Sequence, residues 1–228
     1  MSVKPGLSSA TSEVLDYLRD IGFSDLYLGS PAPGGIADGT PTSGNLSEIE
    51  AQALACKRCE LSVTRNSVVF GVGSAQADLM FIGEAPGAEE DRQGLPFVGR
   101  AGELLTKIIQ AIDLSREEVY IANIIKCRPP GNRDPLPEEV AACRGYLESQ
   151  IDTIAPQVIV LLGKVAAQTL LGNDYTLGRM RGQWHKVRGV ETRVTYHPAA
   201  LLRNSSFKRP TWEDLQIVRD RLAELQGN

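Results

Sequence analysis

Four short apolar runs constrain this chain more than any other feature. They are Asp78-Leu-Met-Phe-Ile82, Val119-Tyr-Ile-Ala-Asn-Ile-Ile125, Val158-Ile-Val-Leu-Leu162 and Thr192-Arg-Val-Thr-Tyr196. Most are nearly continuous rather than alternating, the pattern of strands buried on both faces. Helical stretches separate them. Ala101–Ile112 carries Leu104, Leu105, Ile108, Ile109 and Ile112 on one side, Pro137 opens a helix running to about 153, Lys164–Leu171 is stopped by Gly172, and Trp212–Leu225 is amphipathic. Strand and helix in alternation predict an α/β fold with a parallel sheet covered on both faces. A short strand near Val68–Phe70 and a helix over about 48–56, opened by Ser47 and Glu50 as a capping box, complete the expected elements.

Open parallel sheets bind ligands outside the carboxyl ends of their strands. The first run breaks at Gly83 and sends Glu84 out at that end, and Pro86-Gly87 then forces a tight turn. Near the end of the second run stands Asn123, and the fourth run ends at His197. Phe97 lies in the loop that leaves the first strand. Singly, each has an ordinary use: Asn123 satisfying backbone, His197 at the surface, Phe97 in the core. Together they describe a pocket for a flat, polar heterocycle. Phe97 stacks on the ring, and the Asn123 amide offers both donor and acceptor, suiting an O4/N3–H edge such as that of uracil. His197 donates to a carbonyl on which negative charge grows.

Cysteine occurs four times: Cys56-x2-Cys59, then Cys127 and Cys143. An x2 pair beside Lys57 and Arg58 is unlike core thiols, and a reducing compartment disfavours disulfides. The spacing points to a metal, zinc or an iron–sulfur cluster. Structural zinc commonly uses two close pairs, whereas the second pair here is split. Four thiolates are compatible with a [4Fe–4S] cluster, with a structural role in pinning 56–59 to the 127–143 segment. A redox role competes, but no flavin or second cluster site is legible.

The net charge of −4 argues against a generally basic coat. Between Arg179 and Pro210, however, eight cations face only Glu191, with Trp184, Tyr196 and Phe207 interleaved, a phosphate-contacting surface or a solvated loop. Residues 1–46 read as an extension: a short helix at 12–21 with Val14, Leu15, Leu18 and Ile21, then a Gly/Pro/Ser-rich linker over 29–44. Residues 47–228 form the folded domain. The chain lacks an apolar run long enough to span a membrane and a signal-type N-terminus, so a cytoplasmic protein is expected.

Gly83-Glu-Ala-Pro-Gly87, Gly94-Leu-Pro-Phe97-Val-Gly-Arg-Ala-Gly102, Asn123-Ile-Ile-Lys-Cys127-Arg-Pro-Pro and His197-Pro-Ala-Ala-Leu201-Leu-Arg203, with the four-cysteine spacing, together resemble the family 4 uracil-DNA glycosylases, the iron–sulfur type of bacteria and archaea. The resemblance covers about residues 47–225 and implies a three-layer α/β/α sandwich with a four-stranded parallel sheet. It implies a [4Fe–4S] cluster on Cys56, Cys59, Cys127 and Cys143, and hydrolysis of the N-glycosidic bond of deoxyuridine in single- or double-stranded DNA, leaving an abasic site and free uracil. Position by position, Glu84 and the Ala85 backbone line the pocket, Phe97 stacks on uracil, Asn123 reads its polar edge and His197 sits on the O2 side. Leu201 or Leu202 wedges into the duplex beside Arg203. Such enzymes extrude the base they act on.

Where cluster-free relatives keep an aspartate, this chain has Ala85, so Glu84 and His197 are left to carry the chemistry. The position aligned with the thymine-excluding tyrosine of those relatives is Gly87. A covalently trapping relative uses a histidine in an inserted loop; the segment after Cys127 has neither histidine nor insertion, which favours turnover. The enzyme is expected to act as a monomer, with residues 1–46 available to a replication or repair partner. The rival classes are a non-catalytic uracil-DNA or polymerase-associated binding module, and an iron–sulfur electron carrier.

Overall fold

The computed structural model describes residues 45–227. The helix expected at 12–21 and the linker over 29–44 lie outside the described residues. Six strands form the sheet among the described residues: β1 (Val72–Gly73), β2 (Leu79–Gly83), β3 (Tyr120–Asn123), β4 (Val158–Leu162), β5 (Trp184–Val187) and β6 (Val190–Thr195), in the order β1-β3-β2-β4-β6-β5. The inner four, β3, β2, β4 and β6, run parallel, as the apolar runs predict. Two edge strands pair antiparallel and were not anticipated. The strand expected at Val68–Phe70 is instead buried coil, and the ladder begins at Val72.

The helices are α1 (Leu46–Leu54), α2 (Leu61–Thr64), α3 (Ala88–Gln93), α4 (Arg100–Gln110), α5 (Pro137–Ile154), α6 (Lys164–Leu171), α7 (Leu177–Met180), α8 (Pro198–Arg203) and α9 (Lys208–Leu225). Strand side chains alternate between two faces. Leu79 and Phe81 of β2, with Val158, Val160 and Leu162 of β4, join Leu105, Ile109, Leu215 and Val218 from α4 and α9. Met80, Ile82, Ile159 and Leu161 join Ile49, Ala53, Leu147, Ile151, Ala166 and Ala167 from α1, α5 and α6. Two apolar layers enclosing one sheet make the three-layer α/β/α sandwich.

The first helix begins earlier than expected. Its N-cap is Asn45, whose Oδ1 accepts from Glu48 N–H (3.0 Å) while its Nδ2 donates to Glu48 Oε1 (3.1 Å). Cys56 consequently lies beyond the helix end. No helix among the described residues is long and apolar enough to cross a membrane.

Register places the strand ends level. Gly83 is opposite Asn123, and Leu162 is opposite Thr195. Bonds from Ile124 N to Gly83 O (3.0 Å) and from Gly163 N to Thr195 O (2.9 Å) carry the pairing past the ends of the strands.

Candidate active site

Glu84, Ala85, Phe97, Asn123 and His197 line one cavity of about 670 Å³ at the carboxyl ends of β2, β3 and β6. All five pocket residues predicted from the sequence are therefore brought together. Asn123 is 2 % exposed, and its Oδ1 is buried without a hydrogen-bond partner. Such an orphan is costly unless something fills it. A Cβ on Gly83 would stand 2.4 Å from that oxygen and 2.6 Å from Phe97 Cζ, so only glycine lets the amide and the ring approach the β2 end.

Phe97 has a left-handed backbone, φ 53°. For an aromatic residue this conformation is strained. Two features hold it. Glu90 Oε1 accepts from Val98 N (3.0 Å) and Gly99 N (3.1 Å), satisfying the start of α4. Gly102 allows the first turn of α4 to sit against the Phe97 carbonyl, since a Cβ there would lie 1.8 Å from its oxygen. The Phe97 and His197 ring centroids are 5.5 Å apart with planes tilted by 33°.

His197 caps α8: its Nδ1 accepts from Ala199 N (3.2 Å). An accepting Nδ1 carries no proton, so the neutral ring bears its hydrogen on Nε2. Burial, helped by the Arg203 charge, lowers the imidazole to about 4, so the ring is neutral at pH 7. Burial also pushes the Glu84 carboxyl up to about 7, and Asp134 adds to the rise. One cavity thus holds a neutral ring with a single N–H donor, a carboxyl poised near neutrality, an aromatic ring and an unfilled amide oxygen.

Two further cavity residues were not singled out in the sequence. Glu90 hides in the acidic run Glu89-Glu90-Asp91. Its neighbours do other work: Glu89 bonds the exposed Arg92, and buried Asp91 accepts from Asn66 and Ser67. Asn132, in the proline-rich loop after Cys127, also reaches the cavity, with Arg128 Nε bonded to its Oδ1 (2.7 Å). Neither residue carries a local signal. At the rim Tyr196 stacks on Phe207, centroids 4.2 Å apart, with the Arg181 guanidinium over the other ring partner, Tyr196.

Of the two wedge candidates, Leu201 is 3 % exposed and belongs to the interior, whereas Leu202 is 44 % exposed beside the exposed Arg203. The basic stretch is thinner than its sequence implies. Arg181 and Arg193 pair with Asp214, Arg188 with Asp152 and Arg209 with Glu213. Arg179, Arg203 and Lys208 are exposed and make no ion pair among the described residues.

Cys56, Cys59, Cys127 and Cys143 line one small second cavity with Arg58, Arg65, Lys126 and Tyr146. All four are free of disulfides. Arg65 Nη1 donates to Cys127 Sγ (3.1 Å), and Lys126 N to Cys143 Sγ (3.3 Å). Burial pushes the Cys59, Cys127 and Cys143 thiols up, Cys143 to about 12. Among the described residues no three His, Cys, Asp or Glu side chains stand close enough to hold a single metal ion.

The sequence profile of the uracil DNA glycosylase superfamily matches residues 70–216. A type-4 uracil-DNA glycosylase of Archaeoglobus fulgidus is 42% identical over 182 residues, 76% of this chain and 92% of its own length. One from Thermotoga maritima is 44% identical over 170 residues, 72% of this chain and 88% of its own. A type-5 uracil-DNA glycosylase of Pyrobaculum aerophilum is 32% identical over 172 residues, 68% of this chain and 75% of its own length.

Proposed function

The chain belongs to the uracil DNA glycosylase superfamily and, within it, to the type-4 enzymes; from that premise we propose how its residues hydrolyse the N-glycosidic bond of deoxyuridine in DNA. The observation that carries the assignment of roles is the unfilled Asn123 Oδ1, set in one cavity with Phe97 and with a neutral His197 whose hydrogen sits on Nε2.

The extruded uracil enters the cavity with its face on Phe97. Asn123 Oδ1 accepts from N3–H, and its amide donates to O4. The His197 Nε2–H meets O2. As the bond from C1′ to N1 lengthens, the electron pair leaves with uracil, and negative charge spreads to O2. A neutral imidazole stabilises that charge without surrendering its proton, the pattern of a neutral electrophilic histidine. The sugar left behind is cationic. Glu84, as carboxylate, stabilises it and orients the water that attacks C1′, taking the proton that water sheds. A carboxyl raised to about 7 is matched to base catalysis near neutrality. Leu202 and Arg203 enter the duplex where the base departs.

The four cysteines are the natural holders of a [4Fe–4S] cluster. Their donor set fits it: four sulfurs around one cavity, with N–H groups of Arg65 and Lys126 directed at two of them. Held by these residues, such a cluster would serve structure, tying 56–59 to the 127–143 segment. Monomeric action in the cytoplasm, the 47–228 domain as the catalytic unit and a repair or replication partner for residues 1–46 belong to the same proposal.

The test is to incubate the purified protein with an oligonucleotide carrying one uracil and then treat it with alkali. Strand cleavage at the uracil, with free uracil released, is the expected result. Binding without cleavage would mean a non-catalytic module instead.

A further inference from the structure

Lys126 is 1 % exposed. No ion pair joins it to a carboxylate among the described residues. Its ammonium donates to the Asn123 backbone carbonyl (2.9 Å) and to Gln150 Oε1 (2.5 Å). Gln150 is fixed in turn, with Nε2 donating to Phe70 O and to Tyr120 Oη, both at 3.0 Å. The Lys126 backbone is clamped as well. Its N–H meets Cys143 Sγ, and its carbonyl accepts from Val69 N (2.8 Å).

A buried ammonium is expensive, even with the Cys127 and Cys143 sulfurs near enough to offset part of the cost, and an apolar side chain of equal volume would serve packing better. What the ammonium does instead is hold the carbonyl of Asn123. The Asn123 side-chain oxygen has no internal partner, so the aim of the amide depends on its backbone. From this geometry we propose that Lys126 is a positioning residue, which fixes the Asn123 backbone so that the amide is already aimed at the base edge. The inference rests on the glycosylase assignment above, but it concerns reading of the base rather than contact with DNA.

The test compares two duplexes. One carries 2′-fluoro-2′-deoxyuridine, which resists hydrolysis and keeps the base; the other carries a tetrahydrofuran abasic analogue in its place. The dissociation constant of the abasic duplex divided by that of the base-bearing one reports base reading alone. Lys126→Met is expected to lower that ratio about tenfold, the worth of one well-placed hydrogen bond, with abasic-duplex affinity and iron content unchanged. Lys126→Gln, which keeps a donor without the charge, is expected to recover most of it. A folded Lys126→Met protein with the wild-type ratio overturns the inference, as does Lys126→Gln as impaired as Lys126→Met. Should Lys126→Met fail to fold, Lys126→Leu, which likewise removes the donor to the Asn123 carbonyl, takes its place: a tenfold loss supports the inference, and the wild-type ratio overturns it. A wild-type protein that excises uracil while the donor-less variant reads the base normally leaves the glycosylase assignment standing and removes this inference alone.

Discussion

Replacing Glu84 by glutamine should make the protein more stable and less active, and both effects should depend on pH. Burial raises the carboxyl from its ordinary 4.5 to about 7. Below about 4.5 it is protonated in folded and unfolded chains alike, and the wild type and Glu84→Gln differ little. Between 4.5 and 7 the unfolded chain ionises while the folded one resists, so wild-type stability falls relative to the variant as pH rises. Above about 7 both states are ionised, and the full difference persists. The rise corresponds to a ceiling of ~3.4 kcal/mol. The side chain is partly open to the cavity, and solvent screening reduces this to about 1–2 kcal/mol. Urea unfolding of the two proteins, matched for iron content, would show it: nearly coincident midpoints near pH 4 and a higher midpoint for Glu84→Gln near pH 8. In single-turnover excision the wild type should gain rate up to about pH 7 and then level off. Glu84→Gln should be slower by ~10²–10⁴ and flat over the same range. A variant that keeps the wild-type rate and pH profile would refute the role of the carboxylate in holding water, and equal midpoints at pH 8 would refute its desolvation.

Three other substitutions probe the rest of the cavity. His197→Ala removes the donor proposed to face the leaving group and should slow single-turnover excision by ~10²–10³; because the imidazole is neutral above about 4, the rise toward pH 7 should survive in what activity remains. Gly83→Ala places a methyl group 2.4 Å from Asn123 Oδ1 and 2.6 Å from Phe97 Cζ, so base affinity should fall about 100-fold, with a loss of ~1–3 kcal/mol in stability measured by denaturant titration. Leu202→Ala deletes an exposed side chain, and excision from duplex should fall about tenfold while excision from single strands is unchanged; equal loss on both substrates would exclude a wedge.

The inner sheet was legible because β2 and β4 are buried along their whole lengths and therefore read as unbroken apolar runs. Once the strands were placed, level register brought Glu84, Asn123 and His197 to one end. The edge strands were not legible. β1 has two residues, one of them glycine, and Trp184-His-Lys-Val187 is mostly exposed or half-buried, so neither carries the apolar signal. The first helix is capped by Asn45 with Glu48 rather than by the expected Ser47 with Glu50, and Ile49 and Ala53 are buried in the core. The acidic run was the hardest case. Glu89, Glu90 and Asp91 look alike in sequence, yet one is a surface ion-pair partner, one braces the loop of Phe97 and one anchors Asn66. The partners that decide between them lie up to 25 positions away. The basic stretch is thinner than it reads for the same reason, since Asp152 and Asp214 pair with part of it from other helices.

The left-handed turn at Phe97 bears on how the protein searches DNA. Its backbone is braced from within the protein, by Glu90 and by the close approach of Gly102. A floor of this kind spends no time arranging itself when a base arrives. Discrimination then falls to the clock: a base that swings out of the stack is captured only if it meets the Asn123 edge before it swings back. Weakly paired or unpaired uracil spends longest outside the helix, so lesions of that kind should be cleared first along a strand.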